Sequence, residues 1–198
     1  MGRLANGLRA AAFGLAALVC ADPAAAQTAV PRSDVLVLNQ ERLLSQTEYG
    51  ARIQEELEIA SRALAAENRR IEEQLTSEEL ELTELRQTLP ADEFRVLADE
   101  FDARVTGIRQ AQDAKARDLQ AQADLARQGF FEDTVPILLD LVEDRGAAVL
   151  LDSRTVFLSA GEIDITDAAI ALIDERLGNG GEGPLISVPG LSLEPVEE

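Results

Sequence analysis

The chain has 198 residues, of which 37 are acidic and 18 basic, so its formal net charge is −19. This charge argues against a nucleic-acid-binding or membrane-surface protein, because affinity for phosphates and anionic lipids comes from Lys and Arg. The chain has no His and no Trp, and aromatic residues make up only 4%, a composition typical of long helical rods rather than of a compact globular core.

Residues 1–26 have the pattern of an export signal. Arg3 and Arg9 give a positive start, Ala10–Val19 is a short apolar run, and Ala24–Ala26 supplies small residues for cleavage. The apolar run of about ten residues is shorter than the roughly twenty that cross a bilayer. We therefore expect an exported protein with a cleaved signal peptide. An uncleaved N-terminal membrane anchor is the alternative.

The sequence lacks the residues that most enzymes and metal sites use. Cys20 is the only cysteine and lies inside the predicted signal, where Val19 before it disfavours a lipid-modified cysteine. Without His or a mature thiol, a catalytic triad, a thiol nucleophile and an ordinary zinc site are excluded. Adjacent carboxylates such as Glu55 and Glu56 are typical of a solvated helix face. We expect no enzymatic activity, no cofactor and no metal site.

The first structured element of the mature chain is predicted to be a short strand. Residues 27–34 have the composition of a loose N-terminal arm. Residues 35–39 begin with the apolar, partly β-branched run Val35–Leu38, which is typical of a strand buried on both faces.

Residues 40–144 are predicted to be helical almost throughout. Apolar residues recur at steps of three and four, with one stutter, as in a coiled-coil stripe. The stripe thins at Gln112 and Lys115, and we expect loose packing there.

Pro90 interrupts this helical region near its midpoint, and the chain either kinks or turns back there. A kinked rod of about 150 Å would leave the strand at 35–39 without a partner for its backbone groups. A turn instead brings the two ends of the helical region together as an antiparallel hairpin. We therefore predict a helical hairpin with its tip near 88–92. The capping-box sequence Thr76–Glu79 is the competing position for the turn.

Residues 145–178 are predicted to complete a β-rich body at the base of the hairpin. Gly146 is the expected C-cap of the second long helix. Val149–Leu151 and Val156–Leu158 are apolar runs separated by a short polar stretch, and we predict that they pair as a β-hairpin. Thr166 is the expected N-cap of a closing helix.

The predicted fold is therefore mainly α, with a long coiled-coil arm projecting from a small β-sheet body. Such a body buries too little apolar area to be stable alone, so we predict a core shared between identical chains. Residues 179–198, rich in Gly, Pro and Glu, are predicted to be a disordered acidic tail. The predicted oligomer core consists of Val35, Leu36, Val37, Leu38, Val149, Leu150, Leu151, Val156 and Phe157.

The order of these elements resembles the Skp/OmpH family of periplasmic chaperones. The resemblance depends on the segments VLVLNQERLLSQTEYG, GAAVLLDSRTVFLSAGEIDIT and DAAIALIDERL around the charged hairpin. It implies a homotrimer whose helical arms enclose unfolded outer-membrane proteins in the periplasm and prevent their aggregation without ATP. Familiar members carry basic arms, whereas this chain has Asp92 and Glu93 near the tip.

Apolar residues near the tip are the candidates for contact with such clients. The same residues also suit a second role, holding the two arms together. A structural or adaptor coiled coil of the cell envelope that binds one folded partner is the alternative function. Neither reading includes nucleic-acid binding or stable membrane insertion of the mature chain. The candidate client contacts are Leu82, Leu85, Leu89, Phe94, Leu97 and Phe101.

Overall fold

The computed structural model describes residues 33–191, so the predicted signal peptide, most of the predicted N-terminal arm and residues 192–198 lie outside the described residues. The architecture is mostly helical with one small sheet, which confirms the predicted fold class apart from its assembly. Two single-turn 3₁₀ helices lie between the last strand and the last helix. The main elements are β1 (Val35–Leu38), α1 (Gln40–Gln46), α2 (Glu48–Leu85), α3 (Ala91–Asp144), β2 (Val149–Asp152) and α4 (Thr166–Leu177).

Helices α2 and α3 form the predicted antiparallel hairpin. They contain 38 and 54 residues, which correspond to about 57 Å and about 81 Å of helix. Helix α2 ends at Leu85, and α3 begins at Ala91 with Pro90 as its N-cap. Asp92 and Glu93 lie in the first turn of α3, where carboxylates oppose the helix dipole favourably. Helix α2 runs unbroken through Thr76–Glu79, so the competing position for the turn is wrong.

The two arms keep one register along their length. Tyr49 bonds to Asp133 at 3.3 Å, Glu67 to Lys115 at 2.6 Å, and Glu78 to Arg104 at 3.1 Å. Each of these three pairs is centred on residue 91, the first residue of α3. The register of the two arms is therefore the same near the base, in the middle and toward the tip.

The first arm has a break at Thr47 that the sequence pattern did not predict. Thr47 leaves the helical conformation, with ψ of 152°, and separates α1 from α2. Its hydroxyl donates to the Leu43 carbonyl at 2.9 Å and accepts from the Gly50 amide at 3.2 Å. A Cβ on Gly50 would lie 1.7 Å from the carbonyl oxygen of Leu44, so only glycine allows α1 to fold back this closely.

The sheet differs from the prediction in its pairing. Strand β1 pairs in parallel with β2, with Val35 opposite Val149, and also forms a bridge to Asp164 on its other side. Its central position explains why Leu36–Leu38 are buried on both faces, as predicted. Within residues 33–191, the outer edge of β2 pairs with no strand.

The predicted third strand, Val156–Leu158, is wrong. Residues Ser153–Thr155 form a 3₁₀ turn, and the apolar run after it lies in a loop. The Asp152 carboxylate accepts from the Arg154 amide at 2.9 Å and pairs with the Arg154 guanidinium at 2.8 Å. These local bonds compete with strand pairing at the start of the run.

A glycine ends α3, and an aspartate side chain binds the first amide of α4. Gly146 has φ of +67° and its amide donates to Glu143 at 2.9 Å, while the next amide reaches Val142 at 3.1 Å. This Schellman arrangement confirms the predicted glycine end of α3. At α4 the prediction is wrong, because Thr166 is the first helical residue and Asp164 Oδ1 accepts from its amide at 2.9 Å.

The main apolar core lies in the body, which we define as β1, β2, α1, α4 and the adjoining ends of α2 and α3. Phe130 is fully buried at its centre and packs edge-to-face against Tyr49, with ring centroids 5.3 Å apart. Leu43, Ile165 and Ile173 are buried around it. This core holds the hairpin at one end only, since no residue from 65 to 118 is fully buried.

The predicted disordered tail is wrong for residues 179–191, which we call the C-terminal strap. Ile186 and Val188 are buried, at 0% and 4% exposure, in a second apolar cluster. The cluster is completed by residues of both arms: Ala60, Leu64, Leu119 and Ala123. The strap therefore packs across the lower part of the hairpin.

Candidate functional site

The distal part of the hairpin carries an open groove between the two arms. The groove has a volume of about 790 Å³. In this part of the hairpin only α2 and α3 pack against each other. The apolar side chains between them are therefore half-buried and remain partly accessible. Acidic residues, including Glu72, Glu79 and Asp102, flank it. The apolar side chains that line it, which define the distal groove, are Ile71, Leu75, Phe101, Val105 and Ile108.

A polar layer closes the groove on the side of the body. Glu67 Oε1 accepts from Lys115 Nζ at 2.6 Å and from Gln112 Nε2 at 3.2 Å. The hydrogen bond from Lys115 lowers the pKa of Glu67, and burial opposes this shift. The amide oxygen of Gln112 is buried and has no hydrogen-bond partner among the described residues. The loose packing expected at Gln112 and Lys115 is thus replaced by a bonded layer, with buried Leu119 beyond it.

The tip has a second, smaller groove with a basic rim. Its volume is about 410 Å³, and Leu89 and Phe94 contribute its largest apolar side chains. Arg86 and Arg95 line it as well, and the Arg86 guanidinium lies 5.9 Å from the centre of the Phe94 ring. Cations therefore lie beside the tip aromatics although the chain as a whole is acidic.

The predicted client-contact residues fall into three groups. Phe101 lines the distal groove, and Leu89 and Phe94 line the tip groove. The other three, Leu82, Leu85 and Leu97, line neither of these grooves, although Leu85 is exposed. The sequence pattern assigned Ile71, Leu75, Val105 and Ile108 only to the stripe between the arms, because periodicity does not reveal that a stripe remains half-open.

A second apolar surface lies on the body beside β2. A pocket of about 270 Å³ there is lined mainly by Phe131, Leu138 and Leu150. Phe157 is fully exposed in the loop after β2.

The predicted oligomer-core residues differ in their burial. Leu36, Val37 and Leu38 are buried within the single chain, Val35, Leu150 and Val156 are half-buried, and Val149, Leu151 and Phe157 are exposed.

Residues 33–191 contain neither a membrane-spanning helix nor a metal-binding cluster. No helix in this range is long and apolar enough to cross a membrane. No group of three or more acidic, His or Cys side chains in this range is arranged to hold a metal ion.

Comparisons with known proteins agree on one family. The family model for outer membrane proteins of the OmpH-like type matches residues 34–173. A crystal structure from Caulobacter crescentus, of an OmpH-like protein assigned as an outer membrane chaperone, superposes with a TM-score of 0.70. The two chains are 20% identical over 73% of this chain and 86% of the other, so this likeness supports the fold. No curated protein matches the chain.

Proposed function

This chain belongs to the OmpH-like outer membrane protein family, and from that membership we propose that it is an ATP-independent holdase chaperone. In this proposal it acts in the periplasm, where it encloses unfolded outer-membrane proteins and prevents their aggregation. The observation that supports the proposal most directly is the distal groove, an accessible surface of apolar and polar side chains in a region where nothing is fully buried. A holdase needs many weak contacts of this kind and no energy source, because it binds only the unfolded state.

The proposed enclosure requires several hairpins around one cavity. A single hairpin can form only one side of such a cavity. The family resemblance implies three chains. The exposed side chains of Leu151 and Phe157, together with an outer edge of β2 that pairs with no strand in residues 33–191, support a body that associates with further copies. An exposed apolar patch and a free strand edge are costly on an isolated chain, since both favour association.

The holdase proposal is tested by diluting several unrelated β-barrel membrane proteins from urea with and without the mature protein. We expect the mature protein to suppress light scattering by all of them. If the mature protein suppressed the aggregation of none of them, or of only one, the proposal would be contradicted and an adaptor that binds one folded partner would be favoured.

A matched pair of variants tests whether the distal groove makes the contacts. Val105→Asp places a charge in the groove, whereas Leu80→Asp places the same charge at a site that is 63% exposed and does not line the groove. We expect Val105→Asp to weaken suppression and Leu80→Asp to leave it unchanged, with equal helix content by circular dichroism. Equal loss in both variants would remove the groove from the proposal.

The location is tested by the mass of the protein recovered from the cell envelope. We expect a mature chain that begins after residue 26. A product that retains Met1 would support the membrane-anchored alternative instead.

A further inference from the structure

The hydrogen bonds from Arg52, Glu56 and Lys115 of the arms to the C-terminal strap go to backbone atoms of the strap. Arg52 donates to the carbonyl oxygens of Asn179 at 3.2 Å and Gly181 at 2.6 Å, and also to that of Gly183. These residues are 127 to 131 positions away in the sequence. These contacts go to main-chain oxygens, and Gly181 and Gly183 present theirs from φ of +93°, a conformation that favours glycine.

Glu56 and Lys115 extend this backbone recognition along the strap. The Glu56 carboxylate accepts from the amide of Leu185 at 2.6 Å and from the next amide at 3.0 Å. Glu56 is held in place by Arg52, whose Nε lies 2.8 Å from it. Lys115 donates to the Gly190 carbonyl at 2.9 Å. Three charged side chains on the arms thus bind six main-chain atoms of the strap.

Two strap side chains are fully buried between the arms, and they are two positions apart, while Leu191 is partly buried against the same cluster. Ile186 and Val188 are buried, whereas Ser187 between them is exposed. The arms make room for them with alanines, since Ala60 and Ala123 are almost completely buried at 0% and 2% exposure. The slot therefore selects a segment with apolar residues at alternate positions.

We propose that this slot is a binding site for extended segments with alternating apolar residues, and that the strap is its internal occupant. We define the slot by Arg52, Glu56, Ala60, Lys115 and Ala123. Strands of outer-membrane β-barrels have this alternation, because apolar residues face the lipid at every second position. The choice of ligand rests on the proposed holdase function. The strap then competes with client strands, and its release opens a second contact surface below the distal groove.

The competition is tested in the full mature chain with a double variant, Ile186→Asp with Val188→Asp, which removes the two buried side chains from the slot. Its matched control is Ser187→Asp, which adds a charge to the exposed face of the same segment. The probe is a fluorescein-labelled peptide with the sequence of residues 183–191, GPLISVPGL. Binding is measured by anisotropy at equal chain concentration.

We expect the double variant to bind the peptide at least about tenfold more tightly than the parent, because an occupied site is available only for the fraction of time its occupant is released. The Ser187→Asp control should behave like the parent. Adding Arg52→Ala to the double variant should abolish the gain, and a peptide with Ile and Val replaced by Asp should not bind.

Several results would overturn the inference. They are equal peptide affinity in parent and double variant, equal binding of the Asp-substituted peptide, or a large loss of helix in the double variant by circular dichroism. The last result would mean that the strap only holds the arms together. The aggregation assay separates this inference from the holdase proposal. A parent that suppresses aggregation beside a double variant that does not bind the peptide refutes the slot alone. Peptide binding by the double variant without suppression of aggregation by the parent refutes the holdase alone.

Discussion

The polar layer at the base of the distal groove leads to a prediction with an unusual sign. Replacing the polar residue Gln112 by leucine should stabilise the protein. Gln112 occupies a position in the apolar stripe, and its amide oxygen is buried without a hydrogen-bond partner in the described structure. Its amide nitrogen donates to Glu67 at 3.2 Å, but Glu67 also has the shorter bond to Lys115 at 2.6 Å.

The magnitude follows from three contributions to the free energy of unfolding. Removing a buried acceptor that has no partner is worth about 1–3 kcal/mol. Half-burial of a leucine side chain adds about 1 kcal/mol. Loss of the hydrogen bond to Glu67 costs about 1.5–3 kcal/mol, since the acceptor is charged. The net effect is a stabilisation of about 1 kcal/mol, which for a chain of this size raises Tm by about 2–4 °C.

The assay is thermal unfolding followed by circular dichroism, at one protein concentration because the stability of an oligomer depends on concentration. Gln120→Leu is the control, since Gln120 is exposed and bonds only within its own helix, to Asp124 at 3.2 Å. Gln112→Glu should lower Tm, because it places a second carboxylate beside Glu67. A lower Tm for Gln112→Leu than for the parent would refute the reasoning about the unpaired acceptor.

Three further predictions concern the body and the pH dependence. Phe130→Ala should lower the free energy of unfolding by about 3–5 kcal/mol in urea titrations, because a fully buried ring leaves a cavity; a loss below about 1 kcal/mol would contradict its central position. Phe157→Asp should reduce the oligomer mass in sedimentation at unchanged helix content, whereas Val37→Asp should unfold the body, since Val37 is only 2% exposed within one chain. An unchanged oligomer in Phe157→Asp would count against the assembly surface. The pKa of Glu67 is lowered in the folded protein, chiefly by the hydrogen bond from Lys115, so its contribution is present above the unfolded pKa and is lost as pH falls through the folded value. The urea midpoints of the parent and of Glu67→Gln should therefore converge as pH falls below the ordinary carboxyl pKa of 4.5, and a constant difference would contradict this.

The hairpin was predictable from sequence because its signals are local and agree with one another. Pro90 disfavours a continuous helix, the carboxylates after it favour a new helix start, and the apolar spacing predicts a packed stripe on each arm. The short strand β1 followed from its uninterrupted apolar run.

The sequence predicted a third strand that is absent from the structure and a disordered tail that is partly ordered. The two errors have different physical causes. Val156–Leu158 has the composition of a strand, but the Asp152 side chain binds the backbone that precedes it and starts a 3₁₀ turn. The strap has the composition of a disordered segment, and it is ordered by Arg52 and Glu56, which are more than a hundred positions away. Composition and periodicity carry no information about hydrogen bonds between a side chain and main-chain atoms that are distant in the sequence.

The shared midpoint of the cross-arm pairs also constrains how the arms can change length. Inserting seven residues into one arm alone, between the body and Glu67 for example, would shift that arm relative to the other. Glu67 would then no longer lie opposite Lys115. Adding or deleting seven residues in both arms at equal distance from residue 91 preserves each pair and alters reach by about 10 Å. Variation that lengthens or shortens the hairpin is therefore restricted to matched steps in both arms, and such steps leave the base unchanged.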